Sequence, residues 1–175
     1  MISPRLIIAG VAVPLEGFPV SQEYARLDEG RTVHTLLNGA ALIQTHFDKL
    51  TTRISGEGWA PSGLDGVDWS SPVEISCIKP RCVQSLTASA TLPAARRSDL
   101  SPLPSVFALA VVSGELVQTT VSVVGNVATA AAVAGASAYR FCYYPKLNFA
   151  VPQGVTESLD LSGAAYAWSL EGREA

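Results

Sequence analysis

Charge is what this 175-residue chain has least of. Asp, Glu, Lys and Arg make up 15% of it, against about a quarter in an ordinary soluble domain. Twelve basic residues against 15 acidic ones leave a formal net charge of −3. The basic residues are scattered singly apart from Arg96-Arg97, so no footprint for a phosphate backbone exists and nucleic-acid readout is not expected. Histidine is almost absent, at two residues, and the three cysteines are too few and odd in number for a disulfide framework. Cys77, Cys82 and Cys142 are expected to be small buried apolar groups in a reducing compartment, with a short Cys77–Cys82 bridge across "CIKPRC" as the alternative. Long apolar runs are missing too. "RLIIAGVAVPL" at 5–15 is bracketed by Pro4 and Pro14 and divided by Gly10, and the stretch 106–138 is interrupted by Glu115, Gln118 and Asn126. Neither a cleaved leader nor a membrane span is expected.

What is present is apolar and small. Hydrophobic residues reach 48%, with Val and Ala prominent beside Ser, Thr and Gly. So few charged groups cover a surface poorly, and repeated contacts between subunits are the simplest way to bury the remainder. The length suits one domain over 1–175 with a core of its own.

The dominant hydrophobic period is two. Val73, Ile75 and Cys77 alternate with Glu74 and Ser76; Leu50, Thr52 and Ile54 with Thr51, Arg53 and Ser55; Val117, Thr119, Val121 and Val123 with Gln118, Thr120 and Ser122. Such alternation predicts strands with one buried face. Asn38-Gly39 and Gly125-Asn126 each separate two such runs and predict two-residue type I′ hairpins. Further strands are expected at 5–9, 11–15, 20–27, 83–89, 106–112, 138–143 and 164–170, roughly ten to twelve in all. The Ala-rich run 128–138 carries Thr129 and Val133 directly after a turn and is read as strand. The expected fold is an all-β antiparallel sandwich or barrel-like domain with two long irregular loops, about 56–71 and 92–105. The second holds three prolines and is expected to be exposed.

Catalytic readings fail one by one. His34 and His46 sit on opposite arms of the first hairpin; a two-residue turn would place His34 across from Ile43 and His46 from Arg31, so the two are not partners. No G-x-S-x-G elbow is present. Cys77, Cys82, His34 and His46 have spacings of no familiar zinc site. Asp65 and Asp68 read as turn and capping residues rather than a glycosidase pair. The glycines at 56, 58, 63 and 66 precede a strand and no lysine, unlike a phosphate cradle. No enzyme activity, cofactor or metal is expected.

The stretch "ISGEGWAPSGLDGVDW", 54–69, therefore reads mechanically. Gly56 and Gly58 release the chain from a strand, Pro61 stiffens it, and Gly63 with Asp65-Gly66 turns it back. Trp59, Leu64, Val67 and Trp69 are its anchors. They either pack the arm onto its own sheet or dock it into a neighbouring subunit.

"PRLIIAGVAVPL", "RTVHTLLNGAALIQTHFDKLTTRISGEGW", "PSGLDGVDW" and "PVEISCIKPR", across about 4–82, with a weaker echo in "AYAWSLEG", resemble small structural proteins of the tail and baseplate of tailed bacteriophages. The likeness is to β-rich adaptors between tail tube and baseplate hub, ripcord-like or, more loosely, distal-tail-like. It implies a non-catalytic virion protein of the tail, made in the host bacterial cytoplasm. It further implies assembly as a homo-oligomeric ring with other tail and baseplate proteins as partners, and no membrane insertion. A carbohydrate-binding β-sandwich with Trp59 and Trp69 as a stacking platform is the alternative.

Overall fold

The computed structural model describes residues 4–13, 19–161 and 165–175. Pro14, Leu15 and Ala164, which end or begin expected strands, lie outside them. Among the described residues the only helical element is a 3₁₀ turn at Asp28–Gly30. Everything else regular is strand, and none of the sheets closes into a barrel, so the fold is all-β and sandwich-like.

In chain order the first strands are β1 (Leu6–Ile8), β2 (Val11–Val13), β3 (Val20–Arg26), β4 (Arg31–Thr35), β5 (Ala41–Thr45) and β6 (Leu50–Gly58). There follow β7 (Val73–Ser76), β8 (Arg81–Ser85), β9 (Ser89–Thr91), β10 (Val106–Val112), β11 (Glu115–Thr119) and β12 (Val121–Val124). The last are β13 (Val127–Ala130), β14 (Ala136–Tyr143), β15 (Lys146–Ala150), β16 (Val155–Asp160) and β17 (Ala165–Glu174). The chain forms two compact units, one of Met1–Ile7 with Ser76–Leu147, the other of Ile8–Ile75 with Asn148–Ala175.

The first unit contains two antiparallel sheets, β11-β10-β14-β8 and β12-β13-β9. Leu92, Val106, Ala108, Ala110, Ala128, Ala130, Tyr139, Phe141 and Tyr143 form its buried core. The expected single strand at 117–123 is broken at Thr120, which lets β11 and β12 belong to different sheets; 83–89 is likewise broken between β8 and β9. Gly125 takes φ +59 at the first central position of the β12–β13 turn while Asn126 stays out of the left-handed region, a type II′ pattern rather than I′. The type I′ geometry instead occurs at Ser113 (φ 52) and Gly114 (φ 88), joining β10 to β11.

One expectation for this unit is corrected and another refined. Cys82 and Cys142 face each other in the β8–β14 ladder, 4.0 Å apart at Cα, and are disulfide-bonded; Cys77 is buried and reduced. The partner of Cys82 is therefore a register neighbour 60 residues away, neither absent nor the nearby Cys77. The loop 92–105 is irregular and mostly exposed, as expected, but it is pinned by three buried residues, Leu92, Arg97 and Leu100. Arg97, 2% exposed, fixes the segment. Its Nη1 donates to the carbonyls of Arg5 (2.6 Å), Ser76 (3.2 Å) and Cys77 (3.1 Å), while Nε and Nη2 donate to Asp99 at 3.0 and 2.8 Å.

An eight-stranded sheet runs β2-β1-β7-β15-β17-β6-β3, with β16 beside β17 off that path. The ladders β3–β6, β6–β17 and β16–β17 make most of the second unit, and Ile54, Leu64, Phe149, Val151, Trp168 and Leu170 are among its buried residues.

Candidate functional site

β3 and β6 are direct antiparallel neighbours, with Arg26 opposite Leu50, and the chain between them makes an excursion. Leu27 N donates to Lys49 O and His46 N to Gly30 O, which ties the base. Gly30 lies so close to Phe47 that a Cβ there would stand 2.4 Å from its carbonyl oxygen. Asp48 pairs with Arg26 and stands 3.7 Å from Arg31. Beyond this base β4 and β5 pair only with each other, and all ten of their residues are exposed.

The ribbon carries apolar side chains on both faces. Val33 and Ile43 face each other and are 63% and 61% exposed; Leu42, opposite His34 on the other face, is 53% exposed, and Leu36 and Leu37 sit at the tip. The register corrects the expected two-residue turn. Leu36 pairs with Ala40, leaving Leu37, Asn38 and Gly39 as a three-residue loop with Gly39 at φ +79 and Ala40 N held by the Asn38 side chain. His34 therefore opposes Leu42, not Ile43, and Arg31 opposes Thr45, not His46. The two histidines are still not cross-strand partners.

The arm after β6 is anchored on its own unit for the most part. Leu64 is fully buried, Val67 and Trp69 are half-buried, and Trp59 alone of the four anchors is open, at 77%. Ser62 is buried, and its amide and hydroxyl both donate to the Glu157 carboxylate. Trp69 lies against Gly154, where a Cβ would approach its ring to 3.1 Å. Gly56 and Gly58 are not hinges as expected but lie inside β6; Gly56 opposes Trp168, whose ring occupies the space a Cβ would need. The arm starts at Trp59. Asp68 accepts from Ser70 N, and hydrogen bonds from the Ser70 hydroxyl and amide hold its carboxyl below the ordinary value. This is the capping role its sequence position suggests.

No cluster of three or more His, Cys, Asp or Glu residues able to hold a metal occurs among the described residues. No helix there is long and apolar enough to cross a membrane. The second unit has a cleft of about 440 Å³ lined by Arg53, Glu171, Arg173, Thr156 and Ser169 among others, with Arg173 engaged by Glu29 at 3.1 Å. A second cleft is bordered by Trp168 and Ser residues. Neither is lined by Trp59 or Trp69. No protein-family model, curated protein or solved structure matches this chain.

The exposed ribbon was missed as a site because its alternation is that of any half-buried strand pair. The available signal was compositional: from Arg31 to Phe47 the chain has six large apolar side chains and one formal charge.

Proposed function

We propose that this chain is a non-catalytic assembly subunit, a structural protein of a bacteriophage tail near the tube–baseplate junction. The observation that carries the reading is the β4–β5 ribbon, a two-stranded hairpin exposed on both faces with Val33, Leu36, Leu37, Leu42 and Ile43 turned to solvent. An isolated two-stranded ribbon is marginal in water and its open edges invite pairing. A covering neighbour stabilises it, and a repeated subunit supplies one at every copy. The open ring of Trp59 adds a second contact of the kind that dominates interfaces. The sequence resemblance supplies the setting.

Immunogold electron microscopy of virions from the phage that encodes the chain tests the setting. Label concentrated at the tube–baseplate junction is expected; complete tails without the chain overturn it. The carbohydrate reading is weaker because Trp59 and Trp69 are unequally presented, one open and the other half-covered beside Gly154.

A further inference from the structure

We propose that the Cys82–Cys142 bridge is a reducible latch on β8, opened by a dithiol that attacks Cys82 rather than Cys142. The two sulfurs are not equally placed. β8 is the outermost strand of the sheet β11-β10-β14-β8 and has no strand partner on its far side among the described residues. Cys82 on it is exposed, whereas Cys142, on the inner strand β14, is 1% exposed and has Phe107 of β10 opposite it on the other side. Both cysteines lie on the sheet face turned away from the core, since their strand neighbours Val83, Phe141 and Tyr143 are the ones that pack into it.

Thiol–disulfide exchange requires a thiolate to approach along the sulfur–sulfur bond from the far side of the sulfur it attacks. Beyond Cys82 that approach crosses an open sheet edge; beyond Cys142 it crosses β10 at Phe107. The attacking sulfur bonds to Cys82 Sγ, the Cys82–Cys142 bond breaks, and Cys142 departs with the electron pair and takes a proton from solvent. The second thiol of the same reagent then displaces Cys82. One dithiol is thereby oxidised to a disulfide, and the chain gains two electrons and two protons as two thiols. Without its latch β8 is weakly held. It has five residues in a single ladder, Arg81–Ser85 against Tyr139–Tyr143, and the one apolar side chain it sends against the core, Val83, is half-buried. β14 is secured along its length by β10 as well. Reduction should therefore free β8 ahead of the rest of the first unit and bare the β14 edge, whose unpaired amides and carbonyls can accept another strand.

The test uses the full chain without denaturant. Chain oxidised with oxidised glutathione is treated briefly with reduced glutathione, a monothiol that leaves the first adduct in place, then quenched in acid and mapped by peptide mass spectrometry without reduction. The adduct is expected on Cys82, with Cys142 a free thiol. An adduct on Cys142, no adduct until urea is added, or a chain that never acquires the bridge overturns the proposal. Complete reduction by dithiothreitol followed by amide hydrogen exchange reads the consequence. Amides of β8 should lose protection while those shared by β10 and β14 keep theirs, and Cys82→Ser with Cys142→Ser should show the same pattern with no further response to dithiothreitol. If that variant fails to fold, the reduced parent decides alone. Unchanged β8 protection after complete reduction, or loss of protection through the whole unit at once, overturns the latch.

Discussion

Replacing Arg97 by Met should cost the first unit about 3 kcal/mol. Methionine keeps most of the buried stem but none of the donors, and the carbonyls of Arg5, Ser76 and Cys77 lose the Nη1 that all three share. Taking a donor from a buried acceptor costs on the order of 1 kcal/mol or more; with the Ser76 and Cys77 carbonyls buried and that of Arg5 part-buried, the loss comes to about 3 kcal/mol. Asp99 adds little to this figure, because its side chain is 44% exposed and rehydrates once its partner is gone. Against a typical total stability of about 5–15 kcal/mol, the loss is large. Arg97→Lys should fall between, since an ammonium can serve some of the carbonyls but cannot fork onto Asp99. Urea titration followed by tyrosine fluorescence and circular dichroism reads the shift as a lower midpoint at constant slope. A cost below about 1 kcal/mol for Arg97→Met would mean that water takes over these carbonyls and that Arg97 does not fix the 92–105 segment.

Hydrogen bonding from Arg97 holds the Asp99 carboxyl below its usual value. The stability it contributes is present above the unfolded value of about 4 and fades as pH falls through the lower folded one. Asp99→Asn should therefore cost under about 1 kcal/mol at neutral pH, with the gap to the parent closing on acidification; a gap independent of pH contradicts the assignment. Removing the Cys82–Cys142 bridge by Cys82→Ala with Cys142→Ala should destabilise the first unit by about 4 kcal/mol in chain-entropy terms. Thiol titration of the denatured, unreduced parent should find one free thiol, Cys77, rather than three. Gly56→Ala should cost about 1–3 kcal/mol because its Cβ would meet the Trp168 ring at 2.8 Å. Leu64→Ala should cost about 2–5 kcal/mol by opening a cavity under the arm, while Trp59→Ala should change stability by less than about 0.5 kcal/mol, as a mostly exposed site does. Equal effects at 59 and 64 in thermal unfolding would contradict the division of the arm into anchor and contact.

The strands were legible wherever a period of two ran against a turn dipeptide. Val73–Ser76, Val106–Val112 and the two hairpins around Asn38-Gly39 and Gly125-Asn126 all follow from residues close in sequence. What failed was the detail that turns decide. Leu37 joins the Asn38-Gly39 loop, and that one extra residue shifts every pairing of β4 with β5 by one. Ser113-Gly114 lay inside an apolar stretch that masked it as a turn. The break at Thr120 and the Cys82–Cys142 pairing depend on which sheets meet, and no local pattern carries that information. Arg97 sits among three prolines and an aspartate, a context that ordinarily marks a solvated loop, so its burial could be read only from the carbonyls gathered around it. For the arm, the sequence marks four apolar side chains, but it could not say that Leu64 turns inward and Trp59 outward.

Covering of the β4–β5 ribbon by another copy is what the proposed assembly requires. Amide hydrogen exchange on the parent chain, at increasing concentration, addresses it at the residues concerned. Protection should appear from Arg31 to Thr45 as association sets in, while the β6–β17 ladder is protected throughout. Ribbon amides that exchange equally fast at every concentration, in a chain that is nonetheless associating, would contradict it.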